Sequence, residues 1–136
     1  MQSKKIKADV VIPVPLFPER EKKRGFNQAA LIAEKVAFCL NSNFSPVLER
    51  TIHTAPQASL SEEDRQRNLK NAFRISPKVI PEAFLGKKLL LIDDVATTGS
   101  TISECARVLR SLKPLTIEAL VLSHSFRKFP IKENNG

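Results

Sequence analysis

The sequence predicts an α/β domain with a mostly parallel central sheet flanked by helices. Apolar segments of strand character alternate along the chain with segments of helical period, in the order strand, helix, strand, helix, strand. Two of the strands, "ADVVIPVP" and "KKLLLID", are apolar nearly throughout, as buried strands are. That alternation suits parallel strands joined by right-handed crossovers.

The elements follow in chain order. Residues 8–15 form a buried strand that the prolines stop. Residues 27–40 form a helix, with Asn27 placed to cap it and Ala29, Ile32, Ala33, Val36 and Leu40 along one face. "SPVLERT" is a short strand. "SLSEEDRQRNLKNAF" is polar and charged, with Ser61 and Asp64 at capping-box-like spacing, which predicts a short exposed helix or a loop. "KKLLLID" is the second buried strand. "STISECARVLRSL" is an amphipathic helix with Ile102, Cys105, Ala106, Leu109 and Leu112 on one face, punctuated by Pro114. "TIEALVLSH" is the last strand, and residues 127–136 read as a loose tail.

Composition sets the outer bounds. The chain has 136 residues, enough for one domain with a single core, and residues 1–136 are taken as that domain. No apolar run nears the roughly 18 residues of a membrane span, and "MQSKKIKADV" lacks the apolar core of a signal peptide. Cys39 and Cys105 lie far apart and form no CxxC pair, so reduced thiols in a cytoplasmic setting are expected. His53 and His124 are isolated and receive no metal. The net charge of +8 favours an anionic partner: a phosphorylated small molecule, nucleic acid or a membrane surface.

The chemistry concentrates at "LLLIDDVATTGST", residues 89–101. In parallel α/β sheets ligands bind beyond the carboxyl ends of the strands, where Asp93 and Asp94 fall. The following loop leads into a helix amino end, where unpaired amides and the positive end of the helix dipole attract anions. Thr97, Thr98, Ser100 and Thr101 add hydroxyl donors, and Gly99 lets the backbone come close. Carboxylates beside a phosphate need another task, which sugar hydroxyls or a divalent cation supply. A sugar phosphate is the ligand implied. No Walker phosphate loop is present.

This stretch resembles the phosphoribosyl pyrophosphate (PRPP) motif of type I phosphoribosyltransferases. The resemblance implies that Asp93 and Asp94 hold the ribose hydroxyls and, with PRPP, Mg2+. It implies too that Val95, Ala96, Thr97, Thr98, Gly99, Ser100 and Thr101 wrap the ribose phosphate. "VVIPVPLFPEREKKRGFNQAALIAEKVA" is similar to the ComF/GntX group, the competence-protein-F branch of phosphoribosyltransferase-like proteins, through Pro13, Val14, Pro15, Leu16 and Arg24-Gly25-Phe26-Asn27-Gln28. "RTIHTAPQASLSEEDRQRNLKNAF" matches the same group through Arg50, Gln57, Leu60, Arg65, Asn68 and Phe73. The resemblance spans roughly residues 8–124.

Several expectations follow from it. The fold is a single-domain type I phosphoribosyltransferase-like one. Arg24, next to Gly25 and just before the helix cap, reads as a ligand and catalytic contact together with Asp93 and Asp94, whereas Lys22 and Lys23 read as solvated charge. The 55–73 segment matches the loop that closes over the site in these transferases; Arg65 there either reaches the pyrophosphate or is a surface-helix arginine. Thr97 stands where oxopurine-salvaging enzymes place an aspartate, so purine salvage by that mechanism is not expected. The group's cysteine-rich zinc segment is not expected within these residues, because two separated cysteines cannot make a four-cysteine site.

Two functions stay open at this point. One is a cytoplasmic competence factor that binds PRPP or another ribose phosphate and assists DNA uptake with the competence machinery. It would touch single-stranded DNA with Phe17 and Phe26 as candidate stacking residues. The other is an active Mg2+-dependent phosphoribosyltransferase, amidophosphoribosyltransferase-like, with an unknown acceptor.

Overall fold

The computed structural model of the protein describes residues 6–15, 27–50, 72–94, 100–122 and 126–130. In chain order these form β1 (Val10–Pro13), α1 (Gln28–Leu40), β2 (Asn43–Phe44), β3 (Leu48–Arg50), β4 (Phe73–Ile75), β5 (Lys88–Asp93), α2 (Ser100–Leu109), β6 (Thr116–Leu122) and β7 (Phe126–Pro130). Short 3-10 turns at Pro81–Phe84 and Arg110–Leu112 precede β5 and β6.

Five strands make the central sheet in the order β2-β1-β5-β6-β7. The first three pairings are parallel and β6–β7 is antiparallel. The two apolar strands of the sequence are therefore direct neighbours, with Val10 opposite Leu89 and Pro13 opposite Ile92. Their apolar character has a simple cause: both faces are covered. Val10, Ile12, Leu89, Leu91, Ala119 and Val121 belong to the core beneath α2 and the small β3–β4 sheet. Val11, Leu90, Ile92 and Leu120 belong to a second core beneath α1. Successive residues alternate between the two, as the pleat requires.

The helices pack as their periodicity predicts. Ala29, Ala33 and Ala37 of α1 are buried, with Ile32, Val36 and Leu40 packed beside them. Ile102, Cys105, Ala106 and Leu109 of α2, and Leu112 just beyond it, are all buried. Asn27 caps α1 as expected, its side chain accepting from the N–H groups of Ala29 at 2.9 Å and Ala30 at 3.4 Å. At the other end Asn41 adopts a left-handed conformation (φ 55), and the Ser42 N–H reaches the Ala37 carbonyl at 2.8 Å.

Three features depart from the sequence reading. The polar segment expected as helix or loop through residue 73 ends in a strand: Ala72 and Phe73 are buried and β4 pairs antiparallel with β3. The "SPVLERT" strand joins this separate two-stranded sheet, not the central one. Residues 127–130 are not the tail expected of them, because Arg127, Lys128, Phe129 and Pro130 pair with β6 and use backbone groups that an edge strand would leave open. Among the described residues no helix is long and apolar enough to cross a membrane.

Candidate functional site

The site is built where β1 and β5 end together. Asp93 is the last residue of β5 and Asp94 follows it; both are half-buried. The Asp94 N–H donates to the Asp93 Oδ1 at 3.0 Å. Val14, one residue past β1, donates to the Ile92 carbonyl at 2.8 Å. The Asn27 Nδ2 in turn donates to the Val14 carbonyl at 3.3 Å. The basic segment therefore leaves and rejoins the described structure at a point one residue from the acid pair. From the other side α2 starts at Ser100, with Thr101 half-buried in its first turn.

The pleat decides where Asp93 points. It shares the parity of Leu89 and Leu91, so it lies on the sheet face that α2 and the β3–β4 sheet cover. Removal from water pushes its carboxyl up to about 7, and the neighbouring Asp94 adds to this; the Asp94 N–H and the Arg50 cation oppose it. Beneath lies Cys105, fully buried, whose thiol is pushed up by burial and by the Asp93 charge.

Arg50 is a site residue that the sequence reading did not single out for this role. In the small sheet Leu48 lies opposite Ile75 and Arg50 opposite Phe73, all on the inner face. Glu49 and Arg74 are paired on the outer face, with an ion pair at 3.0 Å. Arg50 is thus carried inward with Leu48, and its guanidinium carbon sits 4.8 Å from the centre of the Phe73 ring. The signal was the two-residue period of "LER": an arginine two places from a core leucine points the same way.

The structure thus brings together Asp93, Asp94, Thr101, the amino end of α2 and Arg50. Arg24, Arg65 and residues 95–99 lie outside the described residues, as do Phe17 and Phe26. Among the described residues no group of three or more His, Cys, Asp or Glu side chains could hold a metal. Two adjacent carboxylates fit a cation that arrives with the oxygens of its ligand better than a resident one. The arrangement can accept hydrogen bonds from hydroxyls at the acid pair and receive an anion at the helix start.

No known family profile matches the chain. Individual proteins do. It is 41% identical over 105 residues to competence protein F of Haemophilus influenzae, covering 76% of this chain and 45% of that protein. It is 39% identical over 115 residues to the DNA utilization protein YhgH of Escherichia coli O157:H7, covering 84% of this chain and 48% of the relative. The chain therefore spans about half the length of the relatives it matches. Its fold resembles that of a structure described as the allosteric regulatory enzyme of purine biosynthesis, with a TM-score of 0.57 and 16% identity over 87% of this chain and 22% of the other. It is similar also to glutamine PRPP amidotransferase from B. subtilis, with a TM-score of 0.56 and 16% identity over 85% of this chain and 22% of the other. At that identity the likeness speaks for the fold alone. Over the span it shares with these relatives the chain belongs to the competence protein F group, and its fold is that of the type I phosphoribosyltransferases.

Proposed function

We propose that this chain is a PRPP-binding domain of the competence protein F type that works in the use of incoming DNA. The observation that carries the reading is the placement of Asp93 and Asp94. They stand at the carboxyl end of a central parallel strand, between the end of β1 and the amino end of α2. In this reading the carboxylates accept hydrogen bonds from the ribose hydroxyls, and the residues 95–101 receive the phosphate at the helix start. Asp93 and Asp94 would also hold a Mg2+ ion accompanying PRPP, which would supply charge neutralisation for the pyrophosphate. Arg24 and Arg65 add positive charge on the pyrophosphate side.

The names of the relatives, competence protein F and DNA utilization protein YhgH, support a role with DNA. The net charge of +8 is compatible with direct contact. Calorimetry with PRPP, with and without Mg2+, tests the site; no heat of binding under either condition removes the PRPP reading. A salt titration of single-stranded DNA binding tests direct contact, since phosphate contacts weaken steeply as salt rises.

The fold likeness to a PRPP amidotransferase favours one second reading, an active phosphoribosyltransferase. There the bond from the anomeric carbon to pyrophosphate breaks, and a bond to the acceptor nucleophile forms at that carbon. The chain's residues would act by positioning and by stabilising charge. A pyrophosphate-release screen across acceptors separates this from binding without turnover.

A further inference from the structure

We propose that the end of the sheet opposite the acid pair is a docking face for another protein, one that presents an acidic segment with aliphatic anchors. The face consists of Ile80, Leu85 and Leu115, with Lys78, Lys87 and Lys113 around them. It lies at the amino ends of β5 and β6, about 17 Å along β5 from Asp93 at the usual rise per residue. It does not depend on the PRPP reading.

Ile80, Leu85 and Leu115 are 66%, 60% and 57% exposed. Single exposed leucines are ordinary, but a group of large apolar side chains at one end of a fold marks an interaction surface. Backbone hydrogen bonds gather them. The Gly86 N–H donates to the Lys113 carbonyl at 2.9 Å and the Leu115 N–H to the Lys87 carbonyl at 2.8 Å, so the lead-ins to β5 and β6 run side by side. They extend the ladder in which Lys88 lies opposite Thr116. The Ala83 N–H reaches the Ile80 carbonyl at 3.0 Å, closing the 3-10 turn that holds Ile80 beside the same lead-in. The core takes Phe84, next to Leu85, and Leu112, three residues before Leu115; both are buried. The three exposed side chains are therefore held on a hydrogen-bonded frame, which limits the ordering cost of binding them.

Charge and residue type identify the partner. Residues 76–88 and 110–116 hold Lys78, Lys87, Lys88, Arg110 and Lys113 against the single acid Glu82. Lys78, Lys87 and Lys113 are exposed, and none of the three is ion-paired with an acid among the described residues. An apolar centre within a basic rim matches aliphatic side chains bordered by aspartate or glutamate. Single-stranded DNA fits less well, because its bases stack on aromatic faces and Phe84, the one aromatic residue of these two stretches, is buried. An anionic lipid surface is met by an amphipathic helix or by interfacial aromatic rings, and these turns offer neither. A two-fold contact with a second copy of the chain would set these lysines against their own equivalents.

The test uses the full chain and a synthetic amphipathic peptide with leucines on one face and glutamates on the other, followed by anisotropy and by amide shift mapping. The peptide should shift the amides of residues 80–87 and 113–116 and leave those of Asp93 and Asp94 in place. Leu85→Ser/Leu115→Ser and Lys87→Glu/Lys113→Glu should each weaken it about tenfold. A matching peptide with lysines for glutamates should bind Lys87→Glu/Lys113→Glu better than the parent. Because all four positions are exposed, both variants should melt within about 3 °C of the parent. Their response to PRPP should equal the parent's, whether or not the parent binds it. No binding of the acidic peptide, shifts elsewhere on the chain, or variants that bind it as the parent does would each overturn the proposal. Parent protein that ignores the peptide but binds phosphatidylglycerol vesicles would assign the face to lipid and overturn it. Self-association of the parent that Leu85→Ser/Leu115→Ser abolishes would assign it to a second copy, with the same consequence.

Discussion

Asn27 ties the start of α1 to the end of β1. One end of its amide caps the helix through Ala29, and the other donates to the Val14 carbonyl at 3.3 Å. A serine or threonine would cap as well, but could not also span to Val14 through an N–H. The residue therefore sets where the basic segment between them begins and returns.

Asn27→Ala should cost about 1–2 kcal/mol of stability, the sum of a lost cap and a lost part-buried hydrogen bond. Asn27→Asp keeps the cap acceptor and loses only the donor, so it should cost about half as much. Denaturant melts of the two variants check the order; equal losses would mean that the cap contributes nothing, and no loss in Asn27→Asp that the Val14 tether contributes nothing.

Asp93 makes stability depend on pH in an unusual direction for a carboxylate. Its carboxyl is raised from 3.8 to about 7 by burial first and by Asp94 second, so the folded chain holds a proton that the unfolded chain releases. The stabilisation is present below about pH 4 and is lost as the pH climbs through 7. Asp93→Asn, which mimics the protonated form, should therefore stabilise the ligand-free protein at pH 8 by about 1–2 kcal/mol, a figure discounted for its partial exposure to water. At pH 4 the variant and the parent should melt together. A variant less stable than the parent at pH 8 would make the carboxylate structural.

Asp94→Asn and Thr101→Val separate the two halves of the proposed ligand. The first should weaken PRPP by about 1–3 kcal/mol through loss of charged hydrogen bonds. The second removes a hydroxyl from the first turn of α2 and should weaken ribose 5-phosphate and PRPP alike, by about 1 kcal/mol. Titrations with both ligands, with and without Mg2+, read the difference. Only the Asp94 variant should lose its Mg2+ dependence.

The two cysteines should behave differently toward a thiol reagent. Cys39 is exposed, while Cys105 is fully buried with its thiol pushed up by the apolar surroundings. Native protein should release about one equivalent of chromophore quickly, from Cys39, and the second only on unfolding. Cys105→Ala should cost about 1–2 kcal/mol for the cavity under Asp93.

Long periodic segments were legible because burial on two faces leaves a strong imprint. β1, β5, β6, both helices and the Asn27 cap follow directly from residues 8–15, 27–40, 88–93 and 100–122. The small sheet did not, for a physical reason. A strand of three residues such as "FRI" has no period to detect, and its stability comes from a partner far away in sequence. β7 was hidden in another way: "FRKFP" carries two charges and a proline, which suits an antiparallel edge and equally suits a tail. The placement of the acid pair at the end of a buried central strand was legible, since the apolar run stops where the two carboxylates begin. That Arg50 lies on the inner face of the small sheet was not, because it depends on the β3–β4 pairing.

Arg50 and Phe73 sit directly opposite each other in the β3–β4 ladder, so the chain between them departs and returns about 5 Å apart. A segment held at its two ends by a closed ladder can change length cheaply, since each doubling of a loop adds only about 0.6 kcal/mol of closure entropy. The ladder thus fixes the two ends of the chain between residues 51 and 71 while its closure entropy sets no sharp limit on the length between them.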